Sequence, residues 1–173
     1  MEPILVIISG PPGSGKTTLA HRLAAAIGCP AVCRDEIKEG MVHATPGFTA
    51  APGDELTQRT LPVFFGILNL LIRSGVTTVA EAAFQDHVWR PRLEPLRGLA
   101  RIRVVHCTVD PEVAAARIIR RERDDPRRRA HASGLTDHAF HPVRIDAPAL
   151  EVDTGDEYYP PCVHILSFIE KGI

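Results

Sequence analysis

Residues 10–17 read G-P-P-G-S-G-K-T and fit the pattern G-x-x-x-x-G-K-[ST] at every fixed position. An apolar, β-branched run, Ile4–Ser9, precedes them, and residues 16–27 follow with Leu19, Leu23, Ala26 and Ile27 at helical spacing. A strand, a glycine-rich turn and a helix in that order admit few folds. A strand without polar alternation is buried on both faces, which places it in a parallel sheet covered by helices. Gly10, Gly13 and Gly15, with Pro11, Pro12 and Ser14 between them, let backbone N–H groups turn inward around phosphate oxygens. The helix that begins near Lys16 adds its positive end. Lys16 is placed to reach the β- and γ-phosphates of ATP, the Thr17 hydroxyl to ligate Mg²⁺, and Thr18 to complete the nucleotide-binding segment.

The rest of the chain alternates in the same way. Short strands are expected at Ala31–Cys33, 76–80, 102–108 and Ala149–Asp153, and helices at 35–42, Glu55–Arg73, 87–99, 111–123 and 161–171. Pro62 should kink the long helix or open its second half, and Gly28 and Gly75 should end the helices before them. The stretch 43–54 is a loop on its Pro and Gly content. The expected architecture is α/β: a three-layer P-loop NTPase fold, with a five-stranded parallel sheet, helices on both faces and an Arg-rich lid over about 117–134. No repeat or long linker divides the 173 residues, so 1–173 reads as a single domain.

Composition excludes several function classes. Seventeen Arg and three Lys stand against 21 Asp and Glu, a net charge of −1, so the whole chain does not bind nucleic acid by bulk charge. No apolar run approaches the roughly 20 residues of a membrane span, and no membrane partner is expected. The apolar start lacks a basic segment and a small-residue cleavage site, so it reads as a strand rather than a signal peptide. Cys29, Cys33, Cys107 and Cys162 form no C-x-x-C pair, and a reducing, cytoplasmic setting is expected. The chain has no D-x-x-G and its only asparagine is Asn69, which disfavours a guanine-specific switch. A large motor or transporter module needs more chain. The eight histidines show no H-E-x-x-H spacing, His138-x-x-His141 included, and no metal site is expected from them.

Three further groups bear on chemistry. Asp35, in C-R-D-E-I-K-E after the second strand, is placed to accept a proton from an attacking hydroxyl or else to cap the next helix. Glu81 ends the run T-T-V-A-E, where an acid can hold Mg²⁺ through a water; a lone exposed acid is the alternative. Arg117 and Arg121 lie four apart on one helix face, with Arg120 and Arg123 in a neighbouring row. Seven Arg between 117 and 129 face Glu122, Asp124 and Asp125, a local balance of +4. They read as an anion clamp on a closing lid or as a salt-bridged, solvated helix. Trp89, Phe84 and Phe140 could stack on a ring or pack in the core, and Asp153-Thr154-Gly155 could pass the adenine or form a plain turn.

Taken in order, GPPGSGKTT, CRDEIKEG, VAEAAF and RIIRRER resemble the small P-loop kinases grouped around polynucleotide 5′-hydroxyl kinase, chloramphenicol phosphotransferase, gluconate kinase and zeta-type toxin kinases. The chain is especially similar to the AAA domain kinases common in actinomycete genomes, over nearly its whole length. The resemblance implies Asp35 as general base, Lys38 one turn on as a substrate-contacting cation, and Arg121 as a lid arginine with Arg117 one turn earlier. Glu81 stands where the family usually has Asp, and Lys38 replaces the Arg of the polynucleotide kinases, a poorer bidentate phosphate reader. The expected activity is ATP-dependent, Mg²⁺-assisted transfer of a γ-phosphoryl group to a hydroxyl of a small molecule. The alternatives are a polynucleotide 5′-hydroxyl kinase and a nucleotide-binding regulator or weak ATPase. Acceptor identity and oligomeric state are left open.

Overall fold

In the computed structural model, which describes residues 2–124, 130–131 and 140–172, Ile4–Ser9 forms strand β1 and sends its side chains alternately to two apolar layers. Leu5 and Ile7 join one core cluster and Val6 and Ile8 the other, all fully buried. Four more strands flank it: β2 (Ala31–Cys33), β3 (Thr78–Glu81), β4 (Arg101–Thr108) and β5 (Ala149–Asp153). They form a five-stranded sheet in the order β2-β3-β1-β4-β5, and every pairing is parallel.

Helices cover both faces. Helix α1 (Lys16–Ile27) and helix α6 (Cys162–Lys171) pack on the layer containing Val6 and Ile8. Helix α2 (Arg34–His43), helix α3 (Glu55–Arg73) and helix α4 (Asp86–Leu93) lie on the other side, where Leu5 and Ile7 point. Helix α3 buries Leu56, Thr60, Phe64, Leu68 and Ile72 along one stripe, and each large apolar side chain so buried contributes about 1.5–3 kcal/mol. The buried Thr60 hydroxyl is satisfied by the Leu56 carbonyl at 2.6 Å. Helix α5 (Pro111–Asp124) differs, since none of its side chains is fully buried. It is anchored at its start, where Asp110 Oδ1 accepts from the Glu112 N–H at 2.8 Å.

Most expected boundaries agree within two residues; three differences are informative. Pro62 lies inside an uninterrupted α3, on its exposed side, rather than opening a second helix. The expected helix 87–99 stops at Leu93 and continues as a 3₁₀ turn, Glu94–Gly98, because Pro91 and Pro95 supply no N–H. The third strand begins at Thr78, not 76, because Gly75 (φ 78°) and Val76 donate back to Ile72 and Leu71 and close α3. The strand therefore runs on to include Glu81.

Phe84 and Trp89 are core residues, 0% and 7% exposed, with ring centroids 4.7 Å apart and Phe64 against both. Phe84 holds φ 49° just past β3, a strained conformation for an aromatic residue that this packing enforces. Past Asp124, the lid arginines Arg127, Arg128 and Arg129, with Asp125 and His138, lie outside the described residues. No helix among the described residues is long and apolar enough to cross a membrane.

Candidate active site

The glycine-rich loop leaves β1 at the centre of the sheet and turns directly into α1. Gly13 has φ +77°, and a Cβ there would lie 2.6 Å from the Ala114 carbonyl of α5. A Cβ at Gly10 would meet Ser14 Oγ at 2.6 Å and the Cys107 carbonyl at 2.7 Å. Glycine is thus required at both positions by close backbone approach, and at Gly13 by conformation as well. Lys16 Nζ donates to the Pro11 carbonyl at 3.3 Å, within the loop itself. Among the described residues the buried Ser14 Oγ has no partner, an orphaned polar atom within the loop. Such a loop can take phosphate oxygens.

Two acids stand on the same rim. Cys33 of β2 and Glu81 of β3 are register partners, so Glu81 and the start of α2 come to the sheet edge together. Glu81 is 2% exposed, accepts from the Thr17 hydroxyl at 3.2 Å and lies 3.9 Å from Lys16 Nζ. Burial pushes its carboxyl above the ordinary range, against the pull of Lys16 and with help from the Asp35 charge. A hydroxyl and a carboxylate oxygen beside a phosphate cradle fit a hard, oxygen-seeking cation, so Thr17 and Glu81 could hold Mg²⁺.

Asp35 follows one residue into α2, half-exposed, with Arg34 Nη1 donating to its Oδ1 at 2.8 Å. Burial opposes its charge, yet the Arg34 guanidinium, then His131 and Lys16, outweigh it and hold the carboxyl below the usual range. Asp35 is therefore an ionised acceptor whose charge is held by its neighbours. His131 approaches because its Nε2 meets Glu39 of α2 at 3.3 Å.

The basic residues divide. Lys38 is buried and donates to Asp54 Oδ2 at 2.7 Å, with the Phe48 ring 5.7 Å from its ammonium. Asp54 also caps α3 by accepting the Thr57 N–H at 2.7 Å, so one carboxylate ties α2, the loop and α3. Burial opposes that charge too, but Lys38 and the Thr57 and Ala51 N–H donors hold Asp54 well below the usual carboxylate range. Arg117 reaches away from α5: Nη2 donates to the Thr154 carbonyl at 2.7 Å and to that of Gly155, and Nη1 to Gly13 at 3.4 Å. Thr154, itself buried, donates to the Ser14 carbonyl at 2.7 Å, so the turn after β5 is joined to the phosphate loop. A cleft of about 670 Å³ opens here, lined by Gly15, Thr18, Arg117, Arg121, Thr154 and Tyr158 among others.

The structure therefore brings Gly10 to Thr18, Asp35 and Glu81 to one end of the sheet, with Arg117 and Arg121 along the neighbouring cleft. The sequence reading missed Asp54, His131 and Tyr158. Only Asp54 carried a local signal, as an N-cap residue ahead of an apolar run.

Residues 5–141 match the family model described as AAA domain. No curated protein matches the chain. Among solved structures, a presumed kinase from Chloroflexus aurantiacus j-10-fl superposes with a TM-score of 0.87 at 21% identity, covering 100% of both chains. The APS kinase of Mycobacterium tuberculosis, solved with AMPPNP and APS, gives 0.69 at 12% identity over 98% of each chain. A gluconokinase from Sinorhizobium meliloti 1021 gives 0.56 at 16% identity over 98% of this chain and 93% of its own. At these identities the likeness is one of fold, and that fold is the kinase-like P-loop sheet. With the family model spanning most of the sequence, from β1 to beyond α5, the chain belongs to the AAA domain family.

Proposed function

We propose that this protein is an ATP-dependent kinase that transfers the γ-phosphoryl group to a hydroxyl of a small molecule. The observation that carries the reading is Asp35: an ionised carboxylate on the same sheet edge as Lys16, Thr17 and Glu81. A nucleotide regulator has no use for a base at that place.

In this mechanism the loop N–H groups and Lys16 bind the β- and γ-phosphates, and Lys16 leaves the Pro11 carbonyl to do so. Thr17 and Glu81 would hold Mg²⁺, which when bound would neutralise charge on the phosphates. Asp35 accepts the proton of the acceptor hydroxyl as its oxygen bonds to the γ-phosphorus. The bond from that phosphorus to the β–γ bridging oxygen breaks, and ADP leaves. Arg117 and Arg121 stabilise the charge spread over the transferring group. Lys38 and the loop that covers it, with Phe48 against its ammonium, form the acceptor side. The exposed Arg120, Arg121 and Arg123 favour one second reading, in which the acceptor is the 5′-hydroxyl of a polynucleotide.

The test is transfer of γ-labelled phosphate from ATP with Mg²⁺ into pools of sugars, aminoglycosides, phenicols, nucleosides, nucleotide sugars and a 5′-hydroxyl oligonucleotide. Label in a small-molecule pool is expected. Label in the oligonucleotide, with binding that weakens steeply with salt, would move the assignment to the second reading. Free phosphate released at a rate no pool changes would overturn the kinase reading. Asp35→Asn should lower transfer by about 10²–10⁴-fold while ATP affinity stays near wild type. Equal loss of binding and transfer would remove Asp35 from the role of base.

A further inference from the structure

His21, Cys33 and Glu36 come from three elements and meet beside the site described above. His21 lies one turn beyond Thr17 on α1, Cys33 is the last residue of β2, and Glu36 is in the first turn of α2. His21 Nε2 is 2.7 Å from Glu36 Oε1 and 3.7 Å from Cys33 Sγ, and all three donor atoms lie within 4.8 Å of one another. The thiol is buried, whereas the His21 and Glu36 side chains are 51% and 39% exposed. A thiol, an imidazole and a carboxylate in this arrangement have one closed side, against the sheet, and one open side, toward solvent.

The spacing agrees with tetrahedral coordination. Ligand atoms at about 2.0 and 2.3 Å from a tetrahedral ion are about 3.5 Å apart, close to the observed sulfur–nitrogen separation. The His21–Glu36 contact needs to widen by less than an ångström, and both side chains have the solvent-side freedom to do so. The plainer account is a surface hydrogen bond beside an inert core thiol. Against it, the sulfur faces the imidazole rather than apolar neighbours alone. Glu36 and Glu81 also flank it, so two carboxylates lie beside the sulfur. A thiolate and a carboxylate together match the charge of a divalent ion, and sulfur with imidazole selects Zn²⁺ or Co²⁺ over Mg²⁺.

We propose that His21, Cys33 and Glu36 form a binding site for a thiophilic divalent cation of the Zn²⁺ class, with the fourth coordination position open to solvent. On binding, the Cys33 proton passes to solvent and the His21–Glu36 hydrogen bond is replaced by two bonds to the metal. The cation joins α1, β2 and α2 on either side of Asp35, and the site does not depend on the transfer reaction.

The experiment is Co²⁺ titration of the full chain without nucleotide, followed in the visible and near-ultraviolet and then displaced with Zn²⁺. A thiolate-to-cobalt charge-transfer band with tetrahedral d–d bands is expected, saturating at one equivalent, with proton release measured from the buffer dependence of the binding heat. Cys33→Ser should abolish the charge-transfer band. His21→Ala and Glu36→Ala, both at half-exposed positions that leave the core intact, should each weaken Zn²⁺ binding at least tenfold. Cys29→Ser and Cys162→Ser should change neither band nor affinity. Absence of the charge-transfer band would overturn the site, as would unchanged affinity in both His21→Ala and Glu36→Ala. Release of the cobalt by an equal concentration of Mg²⁺ would also overturn it, by placing the ion at Thr17 and Glu81.

Discussion

Glu81 is buried beside Lys16 and Thr17, and that burial raises the pKa of its carboxyl although the proposed chemistry needs the charged form. Its folded-state pKa lies above the unfolded value, so the native state binds the extra proton and stability falls as pH rises through that window. Glu81→Gln removes the buried charge. Scanning calorimetry at neutral pH without nucleotide should show a Tm higher by about 2–4 °C, while Mg²⁺-dependent turnover falls by about 10–100-fold. A lower Tm would mean that pairing with Lys16 outweighs burial. Asp35 contrasts with Glu81, since Arg34 keeps it ionised, and transfer should persist through mildly acidic pH until Glu81 is protonated. The acid limb of the rate profile therefore belongs to Glu81, and Glu81→Gln should remove it from whatever activity remains.

Between elements, the most consequential contact is the buried Lys38–Asp54 pair that holds the 44–54 loop between α2 and α3. Asp54→Ala strips the α3 cap and leaves a buried ammonium unpaired, and should cost about 3–5 kcal/mol in denaturant unfolding. Because the folded Asp54 carboxyl sits below its unfolded value, this contribution is present above about pH 4 and disappears as pH falls toward the folded value. Asp54→Asn keeps the capping oxygen but not the charge, and should lose the pH dependence. None of this could be read from spacing. The phosphate loop and both acids were legible because each lies within a few residues of a strand end whose burial the sequence displays. The Lys38–Asp54 pair joins a helix to a loop tip 16 residues on, and Arg117 finds Gly13 and Thr154 across 104 and 37 residues. Such contacts depend on the packed sheet, and no local pattern encodes them. The strand and helix order, by contrast, follows from apolar periodicity and from Gly28 and Gly75, so its errors are confined to the prolines at 62 and in 87–99 and to the start of β3.

Across the whole molecule, the parallel sheet places every proposed functional side chain at the carboxyl ends of the strands. Helix α5 carries its arginines over that end and is tied to the phosphate loop through Arg117. Arg121→Ala should therefore lower turnover by about 10²-fold or more with ATP affinity nearly unchanged, as measured by single-turnover transfer and equilibrium binding. Unchanged turnover would return α5 to the solvated-face reading. The opposite rim carries no such demand. Gly98, in the turn that leads into β4, has nothing within 4 Å of where a Cβ would stand and no left-handed backbone. A side chain introduced there meets neither a neighbour nor strain. With the partly exposed Cys29 and Cys162 replaced by Ser, Gly98→Cys is thus a natural anchoring point: protein tethered to a surface through that position would present its cleft and loops outward to solution, oriented uniformly from one molecule to the next.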